Sequence, residues 1–341
     1  MILQVFAQIS LKPFNSFGID VCAQLFAEAY DDSDVHEAIS YAVIHALPLF
    51  IIGGGSNLLL TQDIHALVLR MATQGIRVLQ DDSVHVVIEA EAGEAWHPFV
   101  LWTLDHGLYG LENLSLIPGT VGAAPMQNIG AYGVEIKDVF AGLTALDCQT
   151  GELRDFSLQE CQFAYRDSLL KHDIGRWLVL RVRFMLSRIS NKKLDYGSLQ
   201  QCLVKQGITE ATPIDISRAI CSIRRETLPD PVKLGNAGSF FKNPLVSEVL
   251  AAELKCQYPD LVTHQQPDGQ IKLAAGWLID KSGWKGFRDG DAGVYKMQAL
   301  VLVNYGAATG RDIVSLAKRI QSDIAKRFKV HLEMEPTIIE P

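Results

Sequence analysis

The sequence predicts a globular protein of mixed helices and strands that is divided into two or three domains. Its 341 residues exceed the size at which a single hydrophobic core stops growing. It is 48% hydrophobic and 21% charged, which is typical of folded rather than disordered chains. Segments with the apolar spacing of a helix alternate with short apolar runs bounded by glycine and proline, the pattern of strands, so both kinds of element are expected.

The net charge and the spacing of the cysteines exclude some classes of protein. A formal net charge of −8 and an isoelectric point near 5.6 argue against a nucleic-acid-binding protein, which usually carries a basic face. An anionic ligand would therefore be bound by a few local cations and backbone amides. The six cysteines form no Cys-x-x-Cys pair and show no metal-ligand spacing with the nine histidines, so we expect no metal site and reduced thiols in a cytoplasmic protein.

The sequence shows no pattern of a membrane or exported protein. Lys12 is the first cation, so the N-terminus lacks the basic region of a signal peptide. Residues 38–62 carry no charged side chain, but Pro48 and the glycines at 53–55 interrupt this stretch and make it a poor membrane span. We expect a monomer, although no sequence pattern bears on the oligomeric state.

A glycine loop, Gly53-Gly54-Gly55-Ser56-Asn57, follows an expected helix at 34–47 and an expected buried strand at 49–52. A strand that ends in glycines suggests a phosphate site, because backbone N–H groups can point at an anion where no Cβ obstructs its approach. The dinucleotide fingerprint would require glycine at the position of Leu58, and strands rather than a helix are expected next. The loop is therefore not the Rossmann version. A tight turn between strands is the alternative.

A second loop, at residues 117–133, is rich in glycine and without charge. Its sequence is Ile-Pro-Gly-Thr-Val-Gly-Ala-Ala-Pro-Met-Gln-Asn-Ile-Gly-Ala-Tyr-Gly. Such a composition suits a buried, irregular backbone, which needs partners for its N–H and C=O groups. A large polar cofactor could supply them. The alternative is a packed loop of many turns, although loops this long without regular structure are usually functional or disordered.

The segment Asn236-Ala237-Gly238-Ser239-Phe240-Phe241-Lys242-Asn243-Pro244 has the composition of a site. Its small residues place the Ser239 hydroxyl where backbone can approach a ligand closely, and the two phenylalanines can anchor the turn in a core. A lysine and an asparagine follow within reach. The alternative is a glycine turn that enters a buried strand, with Ser239 bonded to its own backbone.

The remaining elements follow from periodicity, turn residues and capping. Strands are expected at 58–60, 66–71, 84–89, 144–148, 152–156, 177–184 and 299–304. Helices are expected at 93–105, from a capping box at 157–160, and at 213–225, 247–257, 274–281 and 309–328, the last with a core-facing apolar stripe. Residues 331–336 are expected as a strand on which Glu333 and Glu335 point the same way; an exposed acidic edge is the alternative.

Five motifs in this order resemble the UDP-N-acetylenolpyruvoylglucosamine reductase (MurB) family of bacterial peptidoglycan synthesis. They are the glycine loop, the second loop, Tyr165-Arg166-Asp167-Ser168, the segment at 236–244 and Ala275-Gly276-Trp277-Leu278-Ile279-Asp280. The resemblance extends over residues 11–335. It implies an α+β protein with an FAD-binding fold of the vanillyl-alcohol-oxidase (PCMH) type in two subdomains, residues 1–72 and 73–215, and a C-terminal α+β substrate-binding domain, residues 216–341.

The resemblance implies that the two loops bind FAD. The implied cofactor-binding residues are Gly53, Gly54, Gly55, Ser56, Asn57, Pro118, Gly119, Gly122, Ala123, Gln127, Asn128, Gly130, Ala131, Tyr132 and Gly133. Relatives of the wider fold sometimes attach the flavin covalently through a histidine or cysteine near the glycine loop. Residues 53–60 contain neither, so we expect dissociable FAD, with NADPH as the co-substrate.

The resemblance also assigns the catalytic residues, Arg166, Ser239 and Glu335. The implied contacts to the sugar nucleotide are Tyr196, in a polar connector at 194–199, and Lys242, Asn243 and Gln298. The guanidinium fork of Arg166 suits the carboxylate of an enolpyruvyl group, and the hydroxyl of Ser239 is a weak acid that can protonate a strongly basic carbon. Without the resemblance, Arg166 beside Asp167 is an ordinary surface ion pair and Tyr196 an aromatic residue of a turn.

The implied activity is NADPH-dependent, FAD-mediated reduction of the enolpyruvyl ether of UDP-N-acetylglucosamine to UDP-N-acetylmuramate. The chain departs from the family pattern at Thr227, where many members have lysine, and at Pro336 and Thr337, which replace Val-Arg. Proline removes a backbone donor, so the backbone after Glu335 and its diphosphate contacts are in question. Rival functions are a flavin oxidase that uses O₂, and a UDP-sugar-binding protein or transferase without redox chemistry.

Overall fold

The computed structural model describes residues 3–340, and these divide into two compact units. The first unit contains the chain up to Ile9 together with Cys22–Gly55 and Ile64–Glu226. The second contains Ser10–Val21, Ser56–Asp63 and the chain from Thr227 onward. The predicted boundaries at 72/73 and 215/216 stay a prediction, and the outermost residues of the predicted domains, Met1, Ile2 and Pro341, lie outside the described residues.

The smaller sheet of the first unit is mostly parallel. Its strand order is Phe6–Ser10, Cys22–Ala29, Ile64–Met71 and Leu49–Ile52, and the last three strands run parallel. Helix α1 (Asp32–Ile44) provides the crossover from Cys22–Ala29 to Leu49–Ile52. Its buried residues Val35 and Ala38 share a core with Leu67 and Leu69 of the sheet, so the apolar spacing in the sequence marks the face that packs.

The larger sheet of the first unit is antiparallel. Its strand order is Leu153–Phe156, Phe140–Asp147, Trp177–Ser187, His85–Glu91 and Ile76–Asp81. Helix α2 (Trp96–Asp105) contributes Trp96 and Phe99 to a core in which both rings pack against Phe184 of the central strand. The strands predicted at 84–89, 144–148, 152–156 and 177–184 are confirmed, with ends that differ by a few residues.

Several helix predictions in the first unit need correction. Helix α1 ends before residue 47 because Ala46 adopts a left-handed conformation, with φ 51°. Helix α2 begins at Trp96 rather than at residue 93, since a turn precedes it. The capping box of Ser157 and Glu160 forms, but the chain makes only turns after it, and Gln162 is left-handed with φ 48°. A correct capping signal therefore does not guarantee a helix.

The first unit also contains helices α3 (Leu169–His172), α4 (Gly197–Lys205) and α5 (Pro213–Thr227). Helix α5 confirms the helix predicted at 213–225. Helix α4 corrects the polar connector predicted at 194–199. Its buried residues Leu199 and Leu203 belong to one core with Ile216 and Ile220 of α5, so the helix forms because its short apolar face has a partner.

The second unit is built on small sheets. One is antiparallel, with the order Gly235–Asn236, Leu302–Asn304, Ala292–Val294 and Arg288–Asp289. Another is also antiparallel, with the order Leu245–Val246, Ile271–Leu273 and Thr263–Gln265. A further pair joins Leu58–Leu60 to Thr337–Ile339 in parallel. The strand predicted at 58–60 is confirmed, and the one predicted at 299–304 is shorter than expected.

The helices of the second unit are α6 (Glu248–Gln257), α7 (Ala275–Lys281) and α8 (Gly310–Phe328). Each confirms a predicted helix. A capping box between Thr309 and Asp312 starts α8, and its apolar stripe, which includes Ile313 and Ile320, is fully buried as predicted. Within residues 3–340, no helix combines the length and the apolar character that a membrane crossing requires.

The C-terminal segment differs from its prediction. The strand forms at Thr337–Ile339, after Pro336, rather than at 331–336. The Glu335 N–H donates to the Phe240 carbonyl at 2.9 Å. The Thr337 N–H donates to the carbonyl of Asn57 at 3.0 Å. Pro336 has no backbone N–H, but the hydrogen bonds on either side of it are made by the N–H groups of Glu335 and Thr337. The proline therefore interrupts neither bond and is tolerated there.

Candidate functional site

The glycine loop and the second loop touch in the first unit. A Cβ on Gly53 would lie 2.5 Å from Thr120 Oγ1, and a Cβ on Gly54 would lie 3.0 Å from the Cα of Gly119. Gly55 has φ 58°, a conformation that glycine adopts without strain. Gly53 and Gly54 are therefore required for close approach of the two backbones, and Gly55 is required for the turn.

The second loop is more regular than predicted. Residues Val121–Gln127 form a 3₁₀ helix, and Gly130–Ala131 pairs with Val134–Glu135 in a short hairpin. A Cβ on Gly122 would lie 2.5 Å from that of Ala92, so the 3₁₀ helix packs closely on the chain that precedes α2. Protein groups thus provide hydrogen-bond partners for part of the loop's backbone. Fewer of its N–H and C=O groups than predicted depend on a bound cofactor.

Asn128 supports the second loop from within the core. It is fully buried and left-handed, with φ 45°. Its Nδ2 donates to Glu135 Oε2 and to the Ala164 carbonyl, both at 3.0 Å, and its Oδ1 accepts from the Lys137 N–H at 3.1 Å. Both amide hydrogens and the oxygen are therefore engaged inside the protein. The contact with FAD that the sequence implies for Asn128 stays a prediction.

Arg166 lies in a tight turn beside the second loop. Ala164 and Asp167 exchange backbone hydrogen bonds around it, and Arg166 has φ 55°, which costs a non-glycine residue about 1–2 kcal/mol. Its guanidinium donates to the Gly130 carbonyl at 2.5 Å. Ser168 Oγ donates to a carbonyl of the 3₁₀ helix at 2.6 Å. The turn and the loop form one hydrogen-bonded piece, with backbone strain at the residue for which a catalytic role is predicted.

Two tyrosines meet beside the second loop. The rings of Tyr132 and Tyr196 pack edge to face, with centroids 5.2 Å apart. Tyr196 is 51% exposed, and burial raises the pKa of the Tyr132 hydroxyl. The buried Asn113 donates through Nδ2 to the Tyr132 carbonyl at 2.8 Å and to the Lys193 carbonyl at 3.0 Å. One side-chain amide therefore ties the hairpin turn to the segment that leads to Tyr196, whose ring remains accessible to a ligand.

Arg224 is a cation of this region that the sequence reasoning did not select. It lies in the last turns of α5, and its Nε donates to the Leu116 carbonyl at 3.2 Å. Burial lowers its pKa, and the nearby Arg166 charge acts in the same direction. Because cations near the C-terminal end of a helix are common complements of its dipole, nothing in the sequence distinguishes Arg224 from Arg225. Only the fold shows which of the two lies by the second loop.

In the second unit, buried groups support the segment around Ser239. Asn236 is buried, and its Nδ2 donates to two backbone carbonyls at 3.1 and 2.8 Å. Its Oδ1 accepts from the N–H of Gly238, which has φ 71° and open space beside it. Phe240 and Phe241 are fully buried and pack edge to face. Among the described residues the half-buried Ser239 hydroxyl has no hydrogen-bond partner, so it is available to donate.

Ser239 and Glu335 lie on paired backbone segments. The Glu335 N–H donates to the Phe240 carbonyl at 2.9 Å. The Lys242 N–H donates to the Glu333 carbonyl, also at 2.9 Å. These bonds run antiparallel and align residue 335 with residue 240, next to Ser239. Main-chain pairing therefore places the backbones of the predicted proton donor and the predicted catalytic glutamate on neighbouring segments.

Lys242 and Asn57 also contact this C-terminal segment. Lys242 Nζ forms an ion pair with Glu333 at 3.0 Å; the lysine side chain is 11% exposed and the glutamate 71%. Because the glutamate is mostly in solvent, an anionic ligand can replace it at the lysine. Asn57 Nδ2 donates to the Glu335 carbonyl at 3.3 Å. The last residue of the glycine loop thus contributes to the position of Glu335.

Asn243 and Gln298 both lie near the start of α7. Asn243 Oδ1 accepts from the N–H of Ala275, the first residue of that helix, at 3.0 Å. Gln298 Oε1 would lie 3.2 Å from a Cβ on Gly276. In the described part of the chain neither side-chain amide nitrogen has a partner, so both can donate to a polar ligand. This arrangement suits their predicted role as contacts of the sugar nucleotide.

The loops of the first unit fit a cofactor that needs close backbone approach and positive charge. Gly133 has open space where a Cβ would be, so a ligand can reach its backbone. The second loop carries no acidic side chain, and Arg166 adds a cation beside it. The residues present therefore fit an anionic dinucleotide such as FAD. Among residues 3–340, no group of three His, Cys, Asp or Glu side chains could bind a metal ion.

Two family models match the chain. The model described as FAD binding domain matches residues 23–157, which include both loops. The model described as UDP-N-acetylenolpyruvoylglucosamine reductase, C-terminal domain, matches residues 230–339, which include Ser239 and Glu335. The chain therefore carries an FAD-binding domain and the C-terminal domain of these reductases.

Curated relatives match over nearly the whole chain. The UDP-N-acetylenolpyruvoylglucosamine reductase of Pseudomonas fluorescens (strain Pf0-1) is 71% identical over 336 residues, covering 98% of this chain and 99% of the relative. That of Pseudomonas aeruginosa is 62% identical over 338 residues, covering 99% and 100%. That of Chromobacterium violaceum is 50% identical over 341 residues, again covering 99% and 100%.

Solved structures agree on the fold. The MurB reductase of Thermus caldophilus resembles this chain with a TM-score of 0.68 and 24% identity, covering 99% of this chain and 100% of that one. A solvent-stable cholesterol oxidase resembles it with a TM-score of 0.52 and 12% identity, covering 98% and 87%. At such identities the likeness concerns the fold alone. Together with the family models, it confirms the predicted α+β FAD-binding fold with a C-terminal substrate-binding domain.

Proposed function

This chain belongs to the UDP-N-acetylenolpyruvoylglucosamine reductase family, and we propose that it reduces the enolpyruvyl ether of UDP-N-acetylglucosamine to UDP-N-acetylmuramate in peptidoglycan precursor synthesis. It is a flavin-dependent oxidoreductase with FAD as cofactor and NADPH as reductant. The observation that carries the proposal is 71% identity over 98% of the chain with a relative of that name. The local geometry supports it, because each predicted catalytic residue lies beside other predicted site residues within its own unit.

FAD is bound without a covalent link. Residues 53–60 contain no histidine or cysteine that could attach the flavin. The glycine loop and residues 118–133 would bind it through backbone groups, with Asn128 acting as an internal support. When bound, FAD supplies hydride transfer from NADPH to the terminal vinyl carbon of the substrate.

Hydride addition creates negative charge on the substrate, and this charge would be stabilised or neutralised by Arg166, Ser239 and Glu335. That charge develops on the carbon next to the carboxylate, and the fork of Arg166 suits the carboxylate itself. Ser239 donates its proton to the carbon, which completes the lactyl ether, and the serine oxygen regains a proton from solvent. Glu335 acts as an acid or an electrostatic partner on the paired backbone segment, and Lys242 supplies positive charge three residues after the serine.

Tyr196, Lys242, Asn243 and Gln298 are the proposed contacts of the sugar nucleotide. The exposed ring of Tyr196 can cover a ligand. The amide nitrogens of Asn243 and Gln298, which have no partner among residues 3–340, can donate to the ligand's oxygens. The ligands are small anionic molecules, the UDP-sugar and NADPH, and no nucleic acid takes part. Local donors of this kind are needed because the chain as a whole is acidic.

The domain division at 1–72, 73–215 and 216–341 and a monomeric, cytoplasmic state are part of the same proposal. Reduced cysteines support the cytoplasmic location, since all six are free thiols. Limited proteolysis tests the division: cleavage near residues 72 and 215 would support it, and protection of residue 215 within α5 (Pro213–Thr227) would contradict the second boundary. Sedimentation at micromolar concentration tests the monomer.

Anaerobic addition of NADPH and then of the enolpyruvyl substrate tests the function. We expect the flavin absorbance to bleach with NADPH and to recover with the substrate. Recovery only on admission of air, with release of peroxide, would indicate a flavin oxidase. A colourless protein that gains no yellow colour with FAD would indicate a UDP-sugar-binding protein or transferase instead.

A further inference from the structure

The start of the second loop is bonded to side chains from two different helices. Leu116 has φ 59°, a left-handed conformation that a leucine adopts only where its surroundings impose it. Its N–H donates to Nδ1 of His97, in α2, at 3.0 Å. Its carbonyl accepts from Nε of Arg224, in α5, at 3.2 Å. Both backbone polar groups of this one strained residue are therefore bonded to side chains.

The bond to Leu116 defines the state of His97. A backbone N–H can only donate, so Nδ1 must accept and carries no proton. The proton of the neutral ring is then on Nε2, which lies 3.8 Å from Cys221 Sγ. A protonated His97 would place an N–H against the N–H of Leu116 and break the bond. Burial, followed by the charges of Arg225 and Arg224 in α5, lowers the pKa of His97 and favours the neutral ring.

Three residues after Leu116, the chain reaches Gly119, which lies against the glycine loop. From Gly119 onward, main-chain bonds hold the second loop, including one from the Trp96 N–H to the Gly119 carbonyl at 3.0 Å. The Cα of Gly119 is also the atom that would lie 3.0 Å from a Cβ on Gly54. Only residues 117 and 118 separate Leu116 from Gly119, so the direction in which the chain leaves Leu116 determines where Pro118 lies.

We propose that His97 and Arg224 are positioning residues that clamp the backbone of Leu116 and thereby preset the FAD-binding loop. The inference rests on the proposed function, because FAD is the ligand of that loop. His97 acts through the N–H of Leu116, and Arg224 acts through the carbonyl of the same residue. Neither the glycine motif nor the family resemblance points to His97.

Paired substitutions separate the acceptor of His97 from the bulk of its ring. The side-chain oxygen of His97→Asn lies near the position of Nδ1 and can accept from Leu116, whereas His97→Gln places its amide near Nε2 and cannot. We expect His97→Gln to weaken FAD binding to the apoprotein about tenfold, the effect of one lost hydrogen bond. His97→Asn should stay within about twofold of the wild type by the same reasoning.

The pH profile of FAD affinity distinguishes a hydrogen-bonding role of His97 from a role in packing alone. The ordinary histidine pKa is 6.5 and that of His97 is lowered, so wild-type affinity should fall as the pH drops below 6.5 and through this lowered pKa. His97→Asn cannot titrate there and should lack this loss. His106→Gln is the matched control: His106 is an exposed histidine just after α2 whose Nδ1 is bonded to the Trp102 carbonyl, and its variant should keep the wild-type profile.

The outcomes separate failure of the clamp from failure of the proposed function. Equal FAD affinity and equal pH profiles in the wild type, His97→Asn and His97→Gln would overturn the clamp. So would equal losses in both variants together with equal losses in the thermal stability of the apoprotein, because the ring would then serve packing alone. A wild-type protein that binds no FAD would refute the proposed function, and the clamp with it.

Discussion

The region around Arg166 and the region around Ser239 are stabilised in different ways. In the first, side chains such as Asn128 and Asn113 bind backbone groups of the second loop and its neighbours. Left-handed residues other than glycine concentrate there; they include Leu116, Asn128, Tyr132 and Arg166. In the second region, the buried Asn236 side chain supports the turn before Ser239, but main-chain hydrogen bonds pair the segment of Ser239 with that of Glu335.

The difference has a consequence for mutation. A loop that depends on side-chain supports can be displaced by a single substitution outside the ligand contacts. A segment in a main-chain ladder keeps its position when a side chain changes, since the backbone bonds remain. Substitutions of the loop supports in the first region should therefore alter ligand binding, whereas those at Ser239 should alter chemistry alone.

The largest expected effect is that of Ser239→Ala. Loss of the proton donor should slow reoxidation of the reduced enzyme by the enolpyruvyl substrate by about 10²- to 10⁴-fold. Reduction by NADPH should keep its rate, because the backbone ladder is intact. Anaerobic stopped-flow absorbance measures both steps. Ser239→Cys, which keeps a donor, should recover part of the rate; equal loss of both steps in Ser239→Ala would contradict the role.

A smaller effect is expected for Gly122→Ala. The new Cβ would lie 2.5 Å from the Cβ of Ala92 and 3.0 Å from its Cα, so the 3₁₀ helix must move. Overpacking of this kind costs about 1–3 kcal/mol, and the FAD dissociation constant should rise by about 10- to 100-fold. Gly197→Ala is the control, because a Cβ there meets no atom within 4 Å. An unchanged FAD affinity in Gly122→Ala would show that the loop is not closely packed there.

Asn113→Asp should disturb the tyrosine pair without touching either ring. The substitution replaces a donor by a carboxylate that faces the carbonyls of Tyr132 and Lys193. Leaving these two acceptors unpaired should cost about 1–2 kcal/mol and raise the KM for the UDP-sugar about tenfold. Steady-state kinetics measure the change. An unchanged KM would mean that Tyr196 does not depend on this support.

The smallest effect is expected at the turn before Ser239. Gly238 has φ 71° and no neighbour within 4 Å of a Cβ, so Gly238→Ala should cost about 1 kcal/mol of unfolding free energy through backbone strain alone. Gly238→Asn should cost less, because asparagine tolerates this conformation. Urea denaturation gives both values. A larger loss in Gly238→Asn than in Gly238→Ala would point to crowding rather than strain.

Local signals in the sequence predicted most elements but few of the supports. The apolar stripe of residues 309–328 predicted α8 correctly. Helix α4 was missed because it buries only Leu199 and Leu203, too few apolar residues for a clear period. The bond from Arg224 to Leu116 joins positions 108 apart in sequence.

The same limit applies to the candidate site. The glycine motifs predicted the two loops, and the motif around Ser239 predicted that segment. Short motifs of this kind reflect the local backbone conformation. The bond from Asn57 to the Glu335 carbonyl spans 278 positions, and no local pattern marks it. Contacts of this range arise from the folded topology, which only the structure or an established family supplies.

The most direct measurement is a paired comparison of Gly122→Ala and Ser239→Ala, with FAD affinity and substrate-driven flavin reoxidation measured for each. We expect Gly122→Ala to lose FAD affinity but, once saturated with FAD, to be reoxidised at close to the wild-type rate. Ser239→Ala should bind FAD normally and lose reoxidation. An equal loss of FAD affinity in the two variants would contradict the division of roles between the loops and the Ser239 segment.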